Sequence, residues 1–380
     1  MRQRTVFLLG ALVLTAGCKT TPPPVELPPE PAAPVRRFVP TELSGQLNTL
    51  LKEPFSDTGT VEVLYATNRR IKGDASACDD SSFGVEASKT MSYGLCRLNV
   101  PKLHTVGALD VSDDPRADTH KYFRVLSQET LTEDTLVQAL KARQPADVLV
   151  FVHGFNVPFR EAVARAAQIA YDLKFQGPVV LFTWPAGASE GMFDKTFINR
   201  TYEANKANAA NSVGPLAGFL KLLAGTGSVT HVMVHSMGHQ VAVPALAQAA
   251  PTLWPFIGEL ILNAPDIPVK DFKTLAPKIK FLAQRITVYC SYNDNAIAAS
   301  ETYNKGRRMG GCALIPDVDI INVGEIDAPT LGIGGLGHGY YAGRPILTDV
   351  YQTLLGVAAE KRLFIRKAEP NSTQNFYLRP

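Results

Sequence analysis

The stretch Val229-Thr-His-Val-Met-Val234-His235-Ser236-Met237-Gly238 decides how this chain reads. Its first six residues form an apolar-rich run of strand length, and a helical pattern starts at about Met237. Strand, sharp turn and helix follow one another with no loop between them. The same rhythm extends in both directions. Upstream, Val148-Leu-Val-Phe-Val152 is continuously apolar, as a strand buried on both faces must be. From Pro158 to about Phe175, Phe159, Ala162, Val163, Ala166, Ile169, Ala170 and Leu173 recur with helical period, and Pro158 suits a first turn. A second buried strand is expected over Val179–Trp184 and a helix around Ala204–Leu223. Val61–Thr67 and Leu98–Val100 read as early strands; Glu259–Asn263, Ile286–Ser291 and Val318–Val323 read as later ones. A last helix is expected from Pro345 to about Glu360. This alternation predicts an α/β fold with a mostly parallel, doubly wound sheet flanked by helices. The domain is expected over residues 46–365, with 366–380 as a C-terminal tail.

Composition narrows the function classes. In 380 residues, 46% are hydrophobic and the formal net charge is +3, which excludes disorder for the bulk of the chain. No basic cluster approaches a phosphate-binding tract, so no nucleic-acid partner is expected. The one long apolar run, Val6 to Ala16, is too short to span a bilayer.

That run has another reading. Arg2 and Arg4, a short apolar middle and Thr15-Ala16-Gly17-Cys18 have the pattern of a secretory signal over residues 1–17. A cysteine after Ala-Gly resembles the bacterial lipoprotein cleavage box, which implies lipidation of Cys18 and a membrane anchor. Lys19 leans the destination towards the outer membrane, facing the periplasm. Residues 18–45 then read as a lipid-anchored linker, with eight prolines between Pro22 and Pro40. In polyproline II, at about 3.1 Å per residue, that stretch reaches roughly 60 Å. An exported chain sits in a disulfide-permissive compartment, and Cys78, Cys96, Cys290 and Cys312 allow three pairings. Proximity along the chain favours Cys78–Cys96 and Cys290–Cys312. No C-x-x-C or H-E-x-x-H spacing occurs, so no metal site is expected.

The turn at Ser236 resembles the nucleophile elbow of α/β-hydrolases, G-x-S-x-G, with Val234 at the first glycine position. Such an elbow holds its serine at strained backbone angles and needs small neighbours; Gly238 is one, and Val234 adds crowding. The strand Val148–Val152 leads into His153-Gly154-Phe155-Asn156, which resembles the oxyanion loop of the same superfamily. The resemblance implies backbone N–H donors at Phe155 and Met237. The superfamily order of serine, acid, histidine leaves one base well downstream, His338 in the loop Gly334-Gly-Leu-Gly-His338-Gly339. His235 and His239 read as supporting or packing residues. Two strands end in candidate acids: Ser291-Tyr-Asn-Asp294 and Asn263-Ala-Pro-Asp266. Asp294 is favoured, with Asp266 as the alternative acid or a residue shaping the pocket edge. Gly332-x-Gly334-x-x-Gly337 also matches a dinucleotide fingerprint, but no second βαβ half follows it, and it reads as loop flexibility around His338.

Tyr65-Ala-Thr-Asn-Arg69, Tyr93-Gly-Leu-Cys96, His153-Gly-Phe-Asn156, His235-Ser-Met-Gly238, Ala264-Pro-Asp266 and Gly337-His338 occur in one linear order. Together they resemble a bacterial family of α/β-hydrolases of unknown function, often exported and esterase- or lipase-like, over roughly residues 58–350. In that family Val234 and Pro244 are departures, and Pro244 is expected to kink the helix after the elbow. The resemblance implies a serine hydrolase cleaving small-molecule or lipid carboxylic esters through an acyl-enzyme, with no cofactor. An amidase, peptidase or thioesterase with the same triad is the alternative within the enzyme class. A non-catalytic envelope binding lipoprotein on the same fold is the alternative outside it. Gly187–Arg200, with Met192, Phe193, Phe197 and Ile198, reads equally as an acyl pocket or as a packed surface loop.

Overall fold

Along each central strand, neighbouring side chains enter two different cores. In β4 (Val148–Val152), Val148, Val150 and Val152 join one apolar cluster while Leu149 and Phe151 join the other. β6 (Thr230–His235) divides likewise, with Val232 and Val234 on one side and Met233 on the other. This period of two, with both faces apolar, makes a sheet buried between helix layers. The computed structural model describes residues 59–73, 77–112, 114, 116–143, 147–188, 195–326 and 338–379, and only the backbone of 195–197. Cys18, the proline-rich stretch and Gly332–Gly337 lie outside the described residues.

The other elements, in chain order, are β1 (Gly59–Ile71), β2 (Phe83–Val100), β3 (Arg124–Leu131), α1 (Glu133–Ala142), α2 (Phe159–Asp172), β5 (Val179–Thr183) and α3 (Lys195–Ala224). After β6 come α4 (His239–Ala249), β7 (Ile257–Asn263), α5 (Val269–Lys280), β8 (Ala283–Cys290), α6 (Asn295–Asn304), β9 (Asp319–Asn322), α7 (Arg344–Leu354), β10 (Ile365–Lys367) and β11 (Phe376–Leu378). The sheet order is β10-β11-β9-β8-β7-β6-β4-β5-β1-β2-β3. Pairing is parallel from β1 through β9 and on to β11; the pairs β1–β2, β2–β3 and β10–β11 are antiparallel.

The crossover after β4 runs through α2 to β5, on the face that also holds α7. The crossover after β6 runs the opposite way through α4 to β7, on the face of α1, α3 and α5. Adjacent strands whose connections leave in opposite directions open a crevice at their carboxyl ends. Both His153-Gly154 and His235-Ser236 lie at that crevice.

The structure departs from the sequence expectations in places. β2 is far longer than Leu98–Val100, because its first half alternates polar and apolar residues on a partly exposed surface. α7 ends at Leu354, short of Glu360. Pro244 sits inside α4 without ending it; the loss is one intrahelical bond to the Gln240 carbonyl. Val234 is fully buried in the core on the face that holds α4. The expected tail over 366–380 is not one in its described part, 366–379: β10 and β11 extend the sheet beside β9, and Leu378 is fully buried. Strands of three residues leave no periodicity for a sequence to display. The structure joins Cys78 to Cys96 and Cys290 to Cys312.

Leu378→Ala should therefore lower unfolding free energy by about 2–4 kcal/mol. The exposed change Leu363→Ala should stay within about 0.5 kcal/mol. Urea denaturation of the two variants checks this, and equal midpoints would remove the C-terminal strands from the folded unit.

Candidate active site

β6 ends at His235 in extended conformation, and Ser236 then takes φ +54° before a short 3-10 turn leads into α4. A left-handed serine costs on the order of 1–3 kcal/mol and needs close support. Two hydrogen bonds supply it: the Ser236 carbonyl accepts from His239 Nδ1 at 2.7 Å and from the Asp266 N–H at 3.2 Å. Two glycines make the bend possible. A Cβ on Gly154 would lie 2.8 Å from the Ser236 Cβ, and one on Gly238 would lie 2.4 Å from the His153 carbonyl oxygen.

Three side chains from three strand ends meet there. Ser236 Oγ lies 2.6 Å from His338 Nε2, and His338 Nδ1 lies 2.7 Å from Asp294 Oδ2. A carboxylate only accepts, so His338 holds its proton on Nδ1 and receives the serine O–H on Nε2. Asp294 is itself fixed, because its Oδ1 caps α6 by accepting from the Ile297 N–H at 3.0 Å. His235 holds the histidine from behind: its Nε2 is 3.2 Å from the His338 carbonyl, and its ring stacks on Tyr341 at 3.8 Å.

Asp266 lies elsewhere. Its carboxylate takes hydrogen bonds from Ser300 Oγ at 2.6 Å and the Tyr202 hydroxyl at 3.0 Å, with Arg308 Nε at 3.4 Å. It anchors the elbow and ties α3 to α6, and it does not touch His338.

The loop after β4 completes the site. Trp184 Nε1 donates to the His153 carbonyl at 2.9 Å, and the Asn205 Oδ1 accepts from both the Asn156 and the Gly187 N–H. Asn205 was invisible to sequence reasoning, since a polar residue in α3 carries no motif. Among the described residues the Phe155 N–H has no protein acceptor. The Met237 N–H belongs to the first turn after the elbow, where helical donors start unpaired. Of the segment Gly187–Arg200, Met192, Phe193 and the Phe197 side chain lie outside the described residues, and Ile198 is exposed.

Residues 128–357 match the family described as alpha/beta hydrolase of unknown function (DUF900). The chain belongs to this family. Its α/β-hydrolase fold accounts for the parallel sheet, the crevice at its switch point and the sharp turn after β6. Among solved structures, an esterase from an Arctic intertidal metagenomic library is 12% identical, with 79% of this chain and 96% of that chain covered and a TM-score of 0.36. An esterase of Pyrobaculum calidifontis is 13% identical, covering 84% and 89%, at 0.29. The esterase LipW of Mycobacterium marinum is 13% identical, covering 75% and 82%, at 0.27. Among curated proteins, none matches the sequence.

Burial drives three histidines here towards neutrality: His153, His235 and His239. Burial and then Arg69 push His153 down to about 3, and burial does the same to His239, opposed by its bond to the Ser236 carbonyl. A histidine depressed in the folded state takes its proton only on unfolding. Folding stability should thus be full above about pH 6.5 and fall as pH drops from there towards about 3, by roughly 1.4 kcal/mol per unit for each such group. His239→Asn, whose amide can still donate to the Ser236 carbonyl, should flatten that slope by about one proton in urea unfolding at pH 5 and 7.5. An unchanged slope would mean that His239 is protonated when folded.

Proposed function

We propose that the protein is a serine hydrolase that cleaves carboxylic esters through an acyl-enzyme. The observation that carries this reading is the continuous chain from Ser236 Oγ to His338 at 2.6 Å and on to Asp294 at 2.7 Å. A hydroxyl in this setting gives its proton to His338 Nε2 as Oγ bonds to the substrate carbonyl carbon. Asp294 keeps the imidazole in the right tautomer and stabilises the imidazolium that forms. The carbonyl oxygen becomes an oxyanion facing the N–H groups of Phe155 and Met237, a type of contact worth about 10²–10³ in rate per donor.

As the tetrahedral centre collapses, the C–O bond to the alcohol breaks and His338 returns the proton to the departing oxygen. Water then attacks the acyl-Ser236 ester, with His338 as base, and releases the acid and the free serine. An ester substrate fits the family and the site's chemistry: His338 can hand the departing alcohol the proton that it took from Ser236. The anchor at Cys18 belongs to the same proposal: a lipidated N-terminus would hold this hydrolase at the cell envelope.

Ser236→Ala should cut turnover of a short-chain p-nitrophenyl ester by roughly 10⁴ or more, and a fluorophosphonate probe should label the wild type once, at Ser236. Asp294→Asn should cost a comparable factor of about 10⁴ through the wrong tautomer, with Asp266→Asn far milder. Full activity in Ser236→Ala ends the serine assignment, and a larger loss in Asp266→Asn than in Asp294→Asn reassigns the acid.

A further inference from the structure

Arg69 is an oddity at the base of the site. It is fully buried, and among the described residues no carboxylate forms an ion pair with it. Burying an unpaired cation is costly, and a methionine or leucine of similar size would avoid that cost. Burial lowers Arg69 to about 9, with the charge of Asp80 opposing the fall, so it stays cationic at neutral pH.

Its N–H groups fan out to three segments: β2, the end of β4 with its following loop, and the end of β5 with its following loop. Nη1 donates to the Gly84 carbonyl at 3.2 Å and the Ala186 carbonyl at 2.8 Å; Nη2 donates to the Val157 carbonyl at 2.7 Å. Nε donates to Thr183 Oγ1 at 2.9 Å, and Nη2 also lies 3.5 Å from His153 Nε2. Thr183 Oγ1, having accepted from arginine, keeps its own proton to give. It lies 2.9 Å from His153 Nε2. At the other side of that ring, His153 Nδ1 lies 3.1 Å from the Gly154 carbonyl oxygen, which can only accept.

These contacts fix one set of proton positions. Nδ1 of His153 carries the hydrogen and donates to Gly154 O, and Nε2 is the acceptor for the Thr183 hydroxyl. Stacking on Trp184, at 5.5 Å and 9° between rings, holds the imidazole in that plane. The carbonyl of Gly154 shares its peptide unit with the Phe155 N–H. In a trans peptide the two bonds point in opposite directions, so pinning the oxygen aims the N–H. A hydrogen bond accepted by the carbonyl also polarises the amide and strengthens its N–H as a donor.

We propose that Arg69, Thr183 and His153 form a hydrogen-bond relay that aims and polarises the Gly154–Phe155 peptide as an oxyanion donor, a role resting on the hydrolase reading above. No proton moves along it; the neutral imidazole passes orientation and polarisation from a fixed charge to a main-chain amide. All three are positioning residues. The relay also gives this cation a role beyond the support of the Asp80 charge: the negative charge that it serves develops on the substrate oxygen during turnover.

Thr183→Val is the most direct variant, because it keeps the side chain's shape while removing the hydroxyl. On a p-nitrophenyl ester it should lower kcat roughly tenfold to a hundredfold with KM within about twofold, less than the loss of a whole oxyanion donor. Affinity for a boronic acid, which forms a tetrahedral anion on the serine, should fall by the same factor. Binding of an unreactive ketone-free substrate analogue should not change. Thr183→Ser should restore both kcat and boronate affinity. His153→Phe keeps the ring stacked on Trp184 but cannot donate to Gly154 O, and it should match Thr183→Val. Wild-type kcat in either folded variant overturns the relay, as does a kcat loss without a parallel loss of boronate affinity. A wild type that neither labels at Ser236 nor turns over the ester sinks the hydrolase reading and the relay with it. A labelled, active wild type beside a fully active Thr183→Val sinks the relay alone.

Discussion

The close approach of two loop backbones at the carboxyl ends of β4 and β6 is the constraint on which the site depends. Ser236 can hold its left-handed turn only because Gly154 leaves room for its Cβ and Gly238 leaves room for the His153 carbonyl. That approach exists because β4 and β6 are neighbours in the sheet whose crossovers leave in opposite directions. The same geometry brings the main chain after His153 beside the serine, where an oxyanion would form. The two features cannot be separated, since a side chain at residue 154 would push both apart.

Around this bend the polar groups divide into two kinds. Those that would face a substrate under the proposed function are few: Ser236, His338 and two main-chain amides. Those behind them are buried and bonded to the loops and side chains that form the site. His239 and Asp266 hold the Ser236 carbonyl, Asp294 caps a helix with one oxygen while orienting His338 with the other, and Asn205 clasps two loops at once. Low dielectric makes each such bond stronger and each missing partner more costly, so the outer layer resists rearrangement. A rigid surround is what a site needs when its donors must be aimed before charge develops.

Much of this was legible in the residues because strands buried on both faces announce themselves. Val148–Val152, Val179–Thr183 and Thr230–His235 are nearly uninterrupted apolar runs, and the motifs sit at their ends. What escaped notice lacked that signature. β3 is an edge strand with most side chains partly or fully exposed, and α6 buries only Ile297 and Ser300, so neither shows a usable period. Position along the chain favours Asp294 without excluding Asp266, since both follow strands on the same side of the sheet. Only distance separates them: one reaches the imidazole and the other reaches Tyr202 and Ser300. Arg69 could be read as part of a motif, but its burial could not, because charged residues are seldom found fully inside.

The measurement that tests the central claim most directly is a crystal structure of the protein inactivated with a small alkyl fluorophosphonate. The phosphorus should be bonded to Ser236 Oγ, with the phosphonyl oxygen about 2.7–3.1 Å from both the Phe155 and the Met237 nitrogens. A phosphonyl oxygen turned away from both amides, or an adduct on any other residue, would contradict the account.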